Sequence, residues 1–84
     1  MKDLLENYAW IVRGSQREKL IKALNKPQTP TQLWKSTKIK PSNISANLKQ
    51  MVGRGIIMCW FPNAKTGRLY KLTEKGERLV KKIV

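Results

Sequence analysis

Residues 42–57, Ser-Asn-Ile-Ser-Ala-Asn-Leu-Lys-Gln-Met-Val-Gly-Arg-Gly-Ile-Ile, contain the change of pattern on which the fold turns. Ile44, Leu48 and Met51 recur at spacings of four and three, so one face of a helix is apolar over this stretch. Pro41 and Ser42 open that helix, because proline at the first helical position loses no hydrogen bond. Gly53 and Gly55 mark its end. From Ile56 the pattern becomes a compact apolar run that stops at Pro62. A polar loop, Asn63-Ala64-Lys65-Thr66-Gly67-Arg68, leads into Leu69-Tyr70-Lys71-Leu72, where apolar and polar residues alternate. Two extended runs joined by a polar, glycine-containing loop predict a β-hairpin.

Working outward from this stretch, Thr29-Pro30-Thr31-Gln32 reads as a helix start: a capping threonine, a proline at the first helical position and an amide at the third. The helix is short, contributes Leu33 inward, and yields to the turn Thr37-Lys38-Ile39-Lys40. Upstream, Ser15-Gln16-Arg17-Glu18 reads as a capping box for a helix whose inward face is Leu20, Ile21 and Leu24, ended by Asn25-Lys26-Pro27. The first twelve residues place Leu4, Leu5, Tyr8, Ile11 and Val12 on one helical stripe with Trp10 off it. Tyr8 to Val12 also fits an extended segment. Downstream, Thr73-Glu74-Lys75-Gly76 carries acid suited to a first helical turn, and Leu79, Val80 and Ile83 predict a closing helix with Lys81 and Lys82 at its C-terminal dipole. The expected class is α+β: three helices, a hairpin and a C-terminal helix, divided into an N-terminal flank, 1–14, and one domain, 15–84.

The composition sets limits. Eighty-four residues suffice for one domain with a modest core and not for a cleft between lobes. Between Glu18 and Glu74 there is no acidic residue, while that stretch holds eleven lysines and arginines; the formal net charge is +13. Like charges held this close oppose the compact state, so a polyanionic partner is expected, with nucleic acid foremost. A single cysteine, Cys59, excludes an internal disulfide, and without histidine no zinc site is expected. Cys59 reads as a small buried hydrophobe within its apolar run. The acids Asp3, Glu6, Glu18, Glu74 and Glu77 lie toward the two ends and there is no histidine to act as a base, so no enzyme and no cofactor are expected. No signal peptide or membrane-length apolar stretch is visible, which implies a cytoplasmic location and no membrane partner.

The string from Ser42 to Ile57 resembles the recognition helix and following strand of winged helix-turn-helix transcription regulators of the MarR and ArsR type. Gly-Arg-Leu-Tyr-Lys-Leu-Thr-Glu-Lys-Gly-Glu, residues 67–77, looks like the wing and the start of the closing helix of that superfamily. Residues 15–84 as a whole are similar to small basic regulators found in archaea. The resemblance implies a winged helix-turn-helix fold and a regulator that binds double-stranded DNA sequence-specifically, on the nucleoid, as a homodimer through residues 1–12, the closing helix, or both. Metal sensing of the ArsR kind is excluded by the missing ligands.

With Ile44, Leu48 and Met51 inward, Ser42, Ala46 and Lys49 are outermost, flanked by Asn43, Ser45 and Gln50. Asn43 and Gln50 carry the amide that reads adenine; Ser42 and Ser45 suit phosphate or base edges; Lys49 suits phosphate or guanine. Asn47 lies nearer the core boundary and also reads as a flank residue, as Ser42 also reads as a cap. The wing candidates are Lys65, Thr66, Arg68 and Lys71, and the backbone-contact candidates are Thr31, Lys35, Lys40 and Arg54. The chain departs from many relatives, which have arginine at Ala46, a small residue at Trp34 and glycine at Lys38. Ala46 shifts affinity toward charge, Trp34 must widen the helix packing or project outward, and Lys38 must take a left-handed turn or a different one. Three rival readings stand beside the regulator: an RNA-binding module, a chromosome-coating protein without sequence preference, and a protein-docking domain.

Overall fold

The inward faces read from the sequence converge on one core. Leu20, Ile21, Leu24, Leu33, Ile44, Leu48 and Met51 meet Ile56, Ile57, Leu72 and Leu79, all buried. Each such side chain contributes about 1.5–3 kcal/mol by leaving water. The computed structural model describes residues 2–61, 63–65 and 67–83. Its elements in chain order are α1 (Lys2–Val12), α2 (Ser15–Ala23), α3 (Pro30–Thr37), α4 (Pro41–Gly53), β1 (Ile57–Trp60), β2 (Leu69–Leu72) and α5 (Glu74–Ile83). The expected α+β class is therefore observed, with one more helix at the N-terminus.

Residues 2–12 are helical, which settles the alternative left by the sequence. The inward stripe differs from expectation, however. Ile11 is fully buried and Leu4, Tyr8 and Trp10 pack against the core, while Leu5 and Val12 face outward. Trp10 is drawn inward because it has partners from elsewhere in the chain: the guanidinium carbons of Arg17 and Arg54 each lie 4.2 Å from its ring centroid. The Arg17 Nη1 donates to the Trp10 carbonyl at 2.7 Å, and the Arg54 Nη1 donates at 3.1 Å to Oδ1 of Asn7, a buried polar residue.

The Ser15 capping box is also corrected. Helix α2 begins at Ser15, but its cap residue is Gly14 in an extended conformation, with no side-chain capping bond. The Thr29 box forms as read: Gln32 N–H donates to Thr29 Oγ1 at 3.2 Å and Thr29 N–H to Gln32 Oε1 at 2.8 Å. Lys38 closes α3 in the left-handed conformation (φ 62°), its N–H donating to the Trp34 carbonyl at 2.8 Å. Glycine would hold this turn without the roughly 1 kcal/mol cost a side chain brings. The turn delivers Ile39 to the core and lets α4 start at Pro41.

Strands β1 and β2 pair antiparallel, Ile57 opposite Leu72 and Trp60 opposite Leu69. Gln28 adds an isolated bridge to Tyr70 on the far side of β2, so β2 is central. Thr73 links hairpin to α5: its N–H donates to the Ile56 carbonyl at 3.0 Å and its Oγ1 accepts from Gly76 N–H at 3.2 Å. Gly76 is required there, because a Cβ would collide with the Ile56 carbonyl oxygen. Cys59 is half-buried rather than buried, since it lies toward the loop end of the hairpin, opposite the half-buried Tyr70 and beyond the buried Ile57–Leu72 pair.

Candidate nucleic-acid interface

Helix α4 starts two residues earlier than a Ser42 cap would require. Lys40 is the cap position and Pro41 the first helical residue, so the Ser42 hydroxyl is not used as a cap. Ser42, Asn43, Ser45, Ala46, Lys49 and Gln50 are all exposed on the side of α4 opposite Ile44, Leu48 and Met51. Asn47 stands apart from them. It is half-buried, and its Nδ2 donates at 2.8 Å to the Asn43 carbonyl and at 3.5 Å to Gln16 Oε1.

Across from α4, the hairpin loop closes a groove of about 410 Å³ lined by Thr29, Pro30, Thr31, Ser45, Leu48, Lys65, Gly67, Arg68 and Tyr70. Four candidates from three separate parts of the sequence, Thr31, Ser45, Lys65 and Arg68, thus share one concavity. The Arg68 Nε donates to the Ala64 carbonyl at 2.7 Å, which curls the loop on itself. Gly67 permits the curl with a positive φ of 74°. Partial burial, with the Cys59 thiol beside it, raises the Tyr70 phenol above its ordinary value, Arg68 opposing. Tyr70 therefore offers a neutral hydroxyl, able to donate, at any physiological pH. An adjoining cleft of about 260 Å³ runs between α3 and α4, past Thr31, Trp34, Pro41 and Ser45. Trp34 resolves the packing question by projecting outward at 46% exposure.

The remaining candidates are placed differently. Lys35 and Lys40 are exposed on α3 and at the start of α4. Lys71 follows Tyr70 in the strand and so points to the opposite face of the hairpin, where its ammonium sits 5.1 Å from the Trp60 ring centroid. Arg54 is turned onto α1 by Trp10 and Asn7. Thr66 lies outside the described residues. Sequence reasoning missed Tyr70 and the cleft formed by Arg13, Gln16, Arg17 and Asn47 beside α4. Tyr70 was findable, because strand alternation sets it opposite to Lys71. The cleft depends on a contact between residues 31 apart and had no local signal.

Helix, turn, helix and hairpin on one core are matched, over residues 18–84, by the family model described as winged helix-turn-helix. The chain belongs to that family. In this winged helix-turn-helix chain α4 is the second helix of the α3–turn–α4 unit and the β1–β2 hairpin is the wing. Solved structures agree on the fold. A cysteine-to-serine mutant of MarR from E. coli complexed with operator DNA is 23% identical with a TM-score of 0.74, over 96% of this chain and 60% of that one. Wild-type MarR from E. coli in its apo form is 26% identical with a TM-score of 0.68, over 94% of this chain and 62% of that one. The chain thus spans about 60% of the length of the MarR chains it resembles. No curated protein sequence matches it. Among the described residues, no helix is long and apolar enough to cross a membrane.

Proposed function

We propose that this winged helix-turn-helix chain is a sequence-specific regulator of transcription that binds double-stranded DNA and is not an enzyme. The observation that carries the reading is the shared concavity: an exposed polar face of α4 adjoins a groove whose far wall is the basic wing. A duplex placed there sets α4 in a major groove, which is wide enough for a helix, with Asn43, Ser45, Ala46, Lys49 and Gln50 toward base edges. Ala46 meets a thymine methyl, and Lys65 and Arg68 reach the neighbouring minor groove or backbone. Thr31, Tyr70, Lys35 and Lys40 supply contacts to phosphate, which fix register without reading sequence. That the similar E. coli MarR mutant was complexed with operator DNA supports DNA as the partner. The reading puts the protein in the cytoplasm, on the nucleoid.

A two-fold dimer would let two such helices read half-sites about one turn apart. Leu5 and Val12, seven residues apart on α1 and 58% and 41% exposed, are the apolar positions offered for that contact, whereas Leu79 of α5 is buried and Val80 and Ile83 pack on the core. Replacing both by lysine is expected to convert a dimer to a monomer in sedimentation analysis without loss of helix content.

The deciding test is duplex binding by fluorescence anisotropy across a salt series, comparing random DNA, the DNA upstream of the gene and an RNA duplex. A log–log slope of about −4 to −8 with at least a roughly tenfold preference for the upstream DNA is expected. Equal binding to every DNA would favour a coating protein, preference for RNA an RNA module, and no binding at moderate salt a protein-docking domain.

A further inference from the structure

The wing has a second face that the duplex reading does not use. In the β1–β2 register Met58 pairs with Lys71 and Trp60 with Leu69, and strand alternation puts all four on the side away from the core. The inner side holds Ile57 and Leu72, both buried, with Cys59 and Tyr70 half-buried. On the outer side Met58 is 41% exposed and Trp60 37%, and Phe61, the residue just past the end of β1, is 66% exposed. Phe61 has a φ of 61°, a region that bulky side chains rarely enter, and its carbonyl accepts the Ala64 N–H at 3.0 Å. The turn it makes follows the end of β1 and leaves the Phe61 ring in solvent, directly after Trp60 in the chain.

Such a surface is unfavourable in water unless something covers it, and its charge and size narrow what that is. Lys71 lies over Trp60, Lys65 and Arg68 are exposed in the loop beyond, and the sequence has no acidic residue between Glu18 and Glu74. A second copy docked here would bring its own Lys71, Lys65 and Arg68 against the same cations, so like charges oppose self-association at this patch. A four-residue strand is about 13 Å long, so the patch offers far less than the roughly 800 Å² per partner of a stable protein interface. The patch's two exposed aromatic residues suit about two unpaired bases, one stacked on each ring. Adjacent exposed aromatic rings flanked by cations form the platform on which unpaired bases stack while their phosphates meet lysine and arginine.

We infer that the outer face of the wing, through Trp60 and Phe61 with Lys71, binds single-stranded nucleic acid by base stacking, as a site separate from the α4 groove. It shares only the positive charge with the duplex reading, so the two stand or fall independently. The test uses the full chain with three labelled probes: a twelve-nucleotide oligothymidine, an abasic strand of the same length, and the upstream duplex. The abasic strand keeps the phosphates and removes the stacking. The intact protein is expected to prefer oligothymidine to the abasic strand by about tenfold. Trp60→Ala with Phe61→Ala should abolish that preference while duplex affinity stays within about twofold, and Trp60→Phe should retain most of it. Circular dichroism on each variant verifies the fold. A wild type indifferent to the bases would overturn the proposal and leave the patch to a protein partner. A preference surviving in the double variant would also overturn it, placing stacking elsewhere, for instance at Trp34. Equal loss of duplex and single-strand binding in a folded double variant would refute a separate site. Failure of the duplex alone would bear on the regulator reading and not on this one.

Discussion

Two groups of cations in this chain have opposite fates. Where α1, α2 and the end of α4 meet, the Arg17 and Arg54 guanidiniums lie against Trp10 and hydrogen-bond the Trp10 carbonyl and Asn7. Around the α4 groove, Lys49 and Lys65 are exposed, and the ion pairs among the described residues lie elsewhere, at Asp3–Lys75 and Glu74–Arg78. The formal charges are the same. What differs is whether the head group has an intramolecular partner in a partly desolvated place, where cation–π contact and a charged hydrogen bond are strongest. Charge counted along a sequence therefore overstates the interface: part of it fastens the N-terminal helix, and only the rest is available to a polyanion.

The strongest way to break this contrast is Trp10→Ala. It removes aromatic packing and the surface that both guanidiniums face, and should cost about 3 kcal/mol, lowering Tm by about 10–20 °C. Duplex affinity of the folded protein should change by less than about twofold, because Trp10 lines neither the groove nor the cleft beside α4. Arg54→Ala comes next. It leaves the buried Asn7 oxygen without its donor and should cost about 1–2 kcal/mol in chemical denaturation. An unchanged denaturation midpoint with weakened DNA binding would move Arg54 to the groove's group.

The reverse experiment is Lys49→Ala with Lys65→Ala. Stability should stay within about 0.5 kcal/mol, while duplex binding weakens about tenfold and the salt slope becomes shallower by about 2. The smallest effect concerns the exposed pair on α1 and α5. The Lys75 ammonium, hydrogen-bonded to Asp3 at 2.6 Å, holds that carboxyl below the usual carboxylate range. Its folded value is depressed, so its stabilisation is complete above the unfolded value, about 3.9, and is lost as pH falls through the folded one. The Tm difference between wild type and Asp3→Asn should be slight at neutral pH, because water screens the pair, and should vanish in acid.

Legibility followed the range of the interactions. The α4 stripe, the Thr29 capping box and the hairpin alternation were readable because each is set by residues a few positions apart, and the same alternation could have assigned Tyr70 and Lys71 to opposite faces. Ser15 is not the cap because α2 already begins at Ser15, with the extended Gly14 before it as the cap residue. Leu5 and Val12 were read as inward because a helical stripe states which residues share a side and not how far the buried side extends. Trp10 turned inward for partners at positions 17 and 54, which no window along the chain brings together.

The amino-acid sequence by itself determined the order of elements, the core residues of α2, α3 and α4, the one-signed charge and the family, because these rest on local periodicity and on motifs at fixed spacing. Only the tertiary structure decided which cations remain available, which face of the wing meets the groove, and that Thr31, Ser45, Lys65 and Arg68 share one concavity. Those outcomes are set by contacts between residues far apart in sequence, where packing and desolvation choose among side-chain directions that the local pattern leaves equal.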